Sequence, residues 1–268
     1  MTIPRVLGRL SSINVRKVMW TAAVLGLPVQ REDWGSGYRS TREPDFLRLN
    51  PNALVPVLVD DQTVLWESNT ICRYLAARQV DTQLLPSAPR DRALVEQWMD
   101  WQATELNDAW RPAFLALHRG VTTSAEAVRE SASRWNQKMR MLNEQLTRTG
   151  GHVAGEQFTV ADVVLGLSSH RWKATPIDHL DLPAVTAYLL RLKAQPGYAE
   201  FVDNGMPWRS AACRARAWPE KPSRRGERQF RSVRSRSQPA VVLTVSAIKP
   251  TFGSATGAGL SGSYTKGC

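Results

Sequence analysis

Pro56 stands immediately before the apolar run Val57-Leu58-Val59, and this constrains the chain more than any other feature. A proline has no N–H to give to a ladder, so it can head a strand or lie on an edge but cannot sit inside a sheet. Val57–Val59 is therefore a strand that begins at its first residue. Asp60-Asp61-Gln62 has turn composition, and Thr63–Trp66 returns as the antiparallel partner. Glu67 and Ser68 follow at the first turn of the next helix, where open N–H groups and the helix dipole favour a bound carboxylate. If the Val55–Pro56 bond is cis, Val55 offers its N–H and C=O to an extended ligand, as an edge strand does. A hydroxyl and several N–H groups aimed at one carboxylate, with Glu67 available for an ammonium group, suit the α-amino acid end of a small peptide.

The segments around this hairpin alternate at short spacing. Ile3–Leu7 reads as a strand, and Asn14–Leu25 as a helix with Val15, Val18, Met19, Ala22 and Leu25 on its apolar side. Gly26 closes that helix and Pro28 prevents its continuation. Val29–Asp33 is a second strand, Pro44–Leu49 a short helix and Ser68–Arg78 a longer one. The order βαβαββα implies a small α/β domain over residues 1–80. Residues 81–89, rich in chain breakers, form a linker.

Residues 90–208 read as helical throughout. Arg90–Leu117 and Ser124–Thr147 are long amphipathic segments, the second ended by Gly150-Gly151. Phe158-Thr159-Val160-Ala161-Asp162 has the spacing of a capping box with an apolar residue before the cap. Pro183–Lys193 and Tyr198–Asp203 complete this half.

The formal net charge of +11 belongs almost entirely to the end of the chain. From Arg209 to Cys268 there are twelve Lys/Arg and two Asp/Glu, which leaves 23 basic and 22 acidic residues before it. The body is therefore nearly neutral, and residues 209–268 are expected to be a disordered basic tail, because their Arg/Ser and Gly/Ser/Thr composition buries little apolar surface. An arm for RNA or membrane phosphates is one reading of this tail. An out-of-frame extension without function is the other, and the abrupt change of composition favours it. Cys72, Cys213 and Cys268 lack CxxC spacing, and His118, His152, His170 and His179 are scattered, so no metal is expected. The absence of a long apolar run or signal-peptide pattern points to a soluble, cytoplasmic protein.

With Val55-Pro56 and Glu67-Ser68 in this order, residues 1 to about 205 resemble a cytosolic glutathione S-transferase, nearest the bacterial theta-like and nu-like groups. The resemblance implies a thioredoxin-like N-terminal domain, an all-α C-terminal domain, a homodimer, a role in detoxification and glutathione as co-substrate. It assigns glutathione to Val55, Pro56, Glu67 and Ser68. Family members often carry a basic residue where this chain has Leu54, so Arg39 or Arg42 on the preceding loop is the available substitute.

Conjugation needs a thiolate. A thiol of pKa near ~8.5 is only about 3% ionised at pH ~7, and lowering it by ~2 units takes roughly 2.7 kcal/mol of selective interaction with the anion. Ser11, Ser12 and Asn14 lie between the first strand and the first helix, where a donor belongs. Ser12-Ile13-Asn14-Val15-Arg16 resembles the theta-like pattern of a catalytic serine four residues before an arginine, and also the nu-like pattern of two donors two residues apart. Ser12 is expected to be the principal donor and Asn14 the auxiliary, with Ser11 in reserve; helix capping is the structural alternative for all three. No tyrosine or cysteine in this segment favours other classes. The electrophile pocket is expected on the long helix, at Trp110, Arg111, Phe114, Leu117 and His118, with Trp172 opposite. Three further readings stay open: a peroxidase or disulfide reductase of the nu-like type, a non-catalytic binding module, and, less favoured, an isomerase.

Overall fold

The computed structural model describes residues 2–79 and 82–205. The basic tail, Cys213 and Cys268 lie outside the described residues, as does the expected end of the helical half at 208. Four strands and three helices build the N-terminal half: β1 (Arg5–Leu7), α1 (Ile13–Val24), β2 (Gln30–Glu32), α2 (Pro44–Leu49), β3 (Val57–Asp60), β4 (Thr63–Trp66) and α3 (Ser68–Ala77). The sheet order is β2-β1-β3-β4, with β1 parallel to β2 and antiparallel to β3. This is the expected thioredoxin-like arrangement. The strands are shorter than the sequence suggests because only the paired residues count: Ile3, exposed, and Asp33 lie outside the ladder.

The second half is helical: α4 (Pro89–Trp101), a π-helical segment (Gln102–Leu106), α5 (Asn107–Arg119), α6 (Ala125–Thr149), α7 (Val160–Ala174), α8 (Pro183–Leu192) and α9 (Tyr198–Phe201). Proline opens α2, α4 and α8, at the position where a missing N–H costs nothing. Ser124 caps α6 by accepting from the Ala127 N–H, and Gly150 ends it in the left-handed conformation. The expected single helix over 90–117 is one rod with a wide turn in its middle, a local insertion that a 3.6-residue pattern does not reveal. The linker is tied down: Leu84 and Leu85 are buried, and the Leu84 C=O accepts from the Val160 N–H at 2.8 Å.

Helix α7 is buried on every side from Val160 to Ser169 because it is surrounded. It packs on α1, α4 and α8, and so joins the two halves. Gly166 permits that closeness, since a Cβ there would stand 2.5 Å from Leu192 Cδ1 and 3.3 Å from the Trp20 ring. Trp20 is fully buried, and its Nε1 donates to the Pro196 C=O at 3.0 Å. Asp162 starts the helix with its carboxylate, accepting from the Thr159 and Val153 N–H groups at 2.8 Å each.

Candidate active site

Strand register decides which loops meet. Leu7 faces Glu32 on β2 and Val57 on β3, and Val57 faces Trp66 on β4. The ends of β1, β2 and β4 and the start of β3 therefore share one edge of the sheet. Gly8–Ser12, Asp33–Arg39, Val55-Pro56 and Glu67-Ser68 all leave the sheet at that edge. Gly8 closes it: at φ 152° its N–H donates to the Glu32 C=O at 2.7 Å, and a Cβ would meet Val15 Cγ2 at 2.5 Å and Val55 Cβ at 3.0 Å.

The Val55–Pro56 bond is cis. Val55 is half-buried, and neither its N–H nor its C=O joins a main-chain hydrogen bond among the described residues. Buried Asn50 braces the preceding loop, donating to the Leu54 C=O at 2.8 Å and accepting from the Asn52 N–H at 3.0 Å. Glu67 holds φ 70° at the N-cap of α3 with a side chain that caps nothing. A residue with a Cβ is rarely left in that conformation, and such outliers gather at ligand sites. Ser68 is buried and its hydroxyl has no partner among the described residues. Leu54 is 63% exposed, and the Arg39 guanidinium pairs with Glu43 at 2.8 Å and lies 4.0 Å over the Trp34 ring.

Ser12 is the N-cap of α1, yet its hydroxyl makes no capping bond. Asn14 is half-buried, likewise without a side-chain bond among the described residues. Ser11 differs: its hydroxyl accepts from Arg9 Nε at 3.0 Å. Two more guanidiniums grip the same loop, Arg16 Nε on the Leu10 C=O at 2.6 Å and Arg119 Nη2 on the Ser11 C=O at 3.3 Å. Burial pushes Arg16 down to about 10, which leaves it charged at neutral pH. Three cations thus hold the loop that leads into Ser12 and the N-terminus of α1, a setting that favours an anion.

Arg119 brings α5 to this edge. Trp110, Phe114 and His118, four residues apart, stack along one face, with ring centroids 5.1 Å and 4.9 Å apart. Arg171 of α7 lies 4.7 Å over Trp110 and 4.2 Å over Phe114. Phe114 and His118 are buried and Trp110 is half-buried, so Trp110 is the accessible part of this wall. Arg111 is exposed and lies off the face, one residue being a turn of about 100°. Trp172 also turns away, donating to Asn136 Oδ1 and meeting His179 edge-on.

The profile of the glutathione S-transferase N-terminal domain matches residues 11–78. Glutathione S-transferase GstB of Escherichia coli K12 is 35% identical over 162 residues, 59% of this chain and 77% of that protein. Glutathione S-transferase D7 of Drosophila melanogaster is 30% identical over 194 residues, covering 70% and 84%. The chain belongs to the glutathione S-transferase family. Among solved structures, the theta class glutathione S-transferase of Xanthomonas axonopodis pv. citri with glutathione bound is 32% identical, with a TM-score of 0.71 over 75% of this chain and 98% of that one.

In this glutathione S-transferase, sequence reasoning missed Arg9, Arg119, Arg171 and Lys17. Arg9 is the most legible of these, since it follows Gly8 on the loop that leads to Ser12; the others come from helices whose faces become known only once the halves are packed. A depression of about 500 Å³ lined by Thr82, Asp91, Leu94, Val95, Glu156 and Gln157 contains none of the site residues. Among the described residues no group of His, Cys, Asp and Glu could hold a metal ion, and no helix is long and apolar enough to cross a membrane.

Proposed function

We propose that this protein is a glutathione transferase that binds glutathione through Val55, Pro56, Glu67 and Ser68 and activates its thiol through Ser12. The observation that carries the proposal is the Ser12 hydroxyl, uncommitted at a helix N-terminus inside a loop held by Arg9, Arg16 and Arg119. In the bound complex the Val55 main chain would pair with the cysteinyl segment, while α3 N–H groups and the Ser68 hydroxyl would hold the γ-glutamyl carboxylate and Glu67 its ammonium group. Ser12 would donate to the sulfur. The thiolate would then attack an electrophilic carbon lodged against Trp110, forming the C–S bond as the leaving group departs with its electron pair.

Asn14, two residues after Ser12 and equally uncommitted, favours a second reading of the same site. Two donors on one sulfur suit attack on a peroxide or disulfide; turnover of a dialkyl disulfide exceeding that of an aryl halide would establish it. Calorimetry on the full chain tests the shared premise. Glutathione is expected to bind the parent and to lose at least about 100-fold in affinity in the Glu67→Ala, Ser68→Ala double variant, the effect of two charge-assisted contacts. Absence of binding by the parent would make the exposed Leu54 decisive and leave a non-catalytic member of the fold.

A homodimer belongs to this reading, as do a cytoplasmic site of action and a role in detoxification. Edge strand β4 carries Val64, 38% exposed, and Trp66, 40% exposed, where a second copy can cover them. Light scattering should give twice the chain mass, and Trp66→Glu should return the monomer mass; a parent that elutes as a monomer refutes the dimer.

A further inference from the structure

Lys17 is 1% exposed on α1, yet among the described residues its ammonium group meets amide oxygens and no carboxylate. Its Nζ donates to Gln102 Oε1 at 2.7 Å and to Asn69 Oδ1 at 3.2 Å. Asn69 follows Ser68 directly, and its Nδ2 donates to the Met99 C=O on α4 at 2.8 Å. Gln102, 1% exposed, continues the chain: its Nε2 donates to Asn107 Oδ1 at 2.9 Å, and the same oxygen accepts from Trp110 Nε1 at 2.9 Å.

The wide turn makes this connection possible. Residues 102 and 107 are five apart, which on an α-helix places them about 140° from each other around the axis. A π-turn brings i and i+5 onto one side, so Gln102 can reach inward to Lys17 and still bond Asn107. An unbroken line of hydrogen bonds thus runs from the residue beside Ser68 to the accessible ring of the aromatic wall.

We propose that Lys17 is a positioning residue that couples the glutathione-holding start of α3 to the Trp110 wall through Gln102 and Asn107. The inference rests on the glutathione reading above. Lys17 touches neither substrate; it sets where α3 and Trp110 stand relative to one another, and so which aromatic groups fit once glutathione is bound.

The charge of Lys17 gives the coupling a readout. Burial pushes Lys17 down to about 7; Arg171 of α7 adds to this, while Glu67 at the N-cap of α3 opposes it; Cys72 of α3 and Arg16, next to it on α1, are its other titratable neighbours. Cys72, itself pushed up to about 11 by burial, is a neutral thiol at physiological pH. Lys17 therefore changes charge across neutral pH, and the relay is tightest when the ammonium is charged, because a charged donor makes the stronger hydrogen bonds to Asn69 and Gln102.

The test compares S-methylglutathione with S-benzylglutathione, neither of which has a thiol to titrate. Calorimetry on the full chain at about pH 6 and about pH 8.5, on either side of the Lys17 transition, gives the preference for the benzyl group. In the parent this preference is expected to fall about threefold from the lower pH to the higher. In Lys17→Met and Asn107→Ala it is expected to be about fivefold weaker at the lower pH and flat with pH, with S-methylglutathione affinity held within about twofold. Asn107→Ala changes a half-buried helical position, so the test survives if Lys17→Met fails to fold. A benzyl preference that the variants leave intact overturns the coupling. So does a preference lost in the variants but flat with pH in the parent, which would mean that the chain of amides only packs. A parent that does not bind S-methylglutathione overturns the glutathione reading itself, and the inference with it.

Discussion

Ser12→Ala is expected to lower kcat/KM for conjugation of glutathione to an aryl halide about 100-fold at pH 7, while the Kd for glutathione changes less than about twofold. The Ser12 hydroxyl makes no capping bond and has no acceptor among the described residues, so its removal leaves the fold of the loop alone; the loop is held by Arg9, Arg16 and Arg119 instead. What is lost is a donor to an anion in a partly buried site, about 2–3 kcal/mol of selective stabilisation. The sign of the pH effect follows. A donor to the thiolate lowers the thiol pKa, so in the parent the bound thiol is expected to be mostly ionised at neutral pH. In the variant that pKa climbs back toward ~8.5, and the deficit should shrink steadily as pH rises to about 9. Ser11 is the control: its hydroxyl accepts from Arg9 but keeps its own O–H to give, so Ser11→Ala should cost far less than Ser12→Ala if Ser12 is the donor. Ser12→Thr, which keeps the hydroxyl, should recover most of the rate. Equal losses in rate and in glutathione affinity would mean that Ser12 positions the ligand and leaves the thiolate to the arginines alone.

Why the hairpin and the start of α1 were legible in the sequence and the arginines around that loop were not is a matter of range. Pro56, the turn after Asp60 and the Glu67-Ser68 pair specify local geometry, and β3, β4 and the start of α3 fall where those residues put them. Pro44 and Gly150 mark helix ends for the same reason. Arg119, by contrast, reaches Ser11 across more than a hundred residues, and Arg171 meets Phe114 only because α7 packs behind α5. Trp172 and Arg111 show the limit from the other side. An aromatic or cationic residue on the correct helix joins the wall only if it lies on the correct face, and each lies about 100° from a residue that does join it, Arg171 and Trp110 respectively. The wide turn at Gln102–Leu106 shifts the register of everything after it, so faces counted from α4 do not carry into α5.

Asp162→Ala is expected to cost about 4 kcal/mol of stability and to lower Tm by roughly 10 °C, with activity per folded molecule unchanged in the cold. The capping pattern alone suggests on the order of 1 kcal/mol. Packing raises that figure, because Asp162 is fully buried and serves four donors: the Val153 and Thr159 N–H groups at 2.8 Å and the Thr159 and Tyr188 hydroxyls at 3.0 Å. Alanine leaves two main-chain N–H groups and two hydroxyls without their acceptor in a buried place, and each such loss costs about 1–3 kcal/mol before relaxation. Asp162→Asn should lie between parent and alanine, since one oxygen remains and its amide faces donors. The loss should also reach the thioredoxin-like half. Helix α7 packs on α1, and Gly166 seats Trp20 against it so closely that the two halves share one core. A single melting transition displaced as a whole is therefore expected from calorimetry. Separation into two transitions, with glutathione binding retained through the first, would show that Asp162 holds only the helical half.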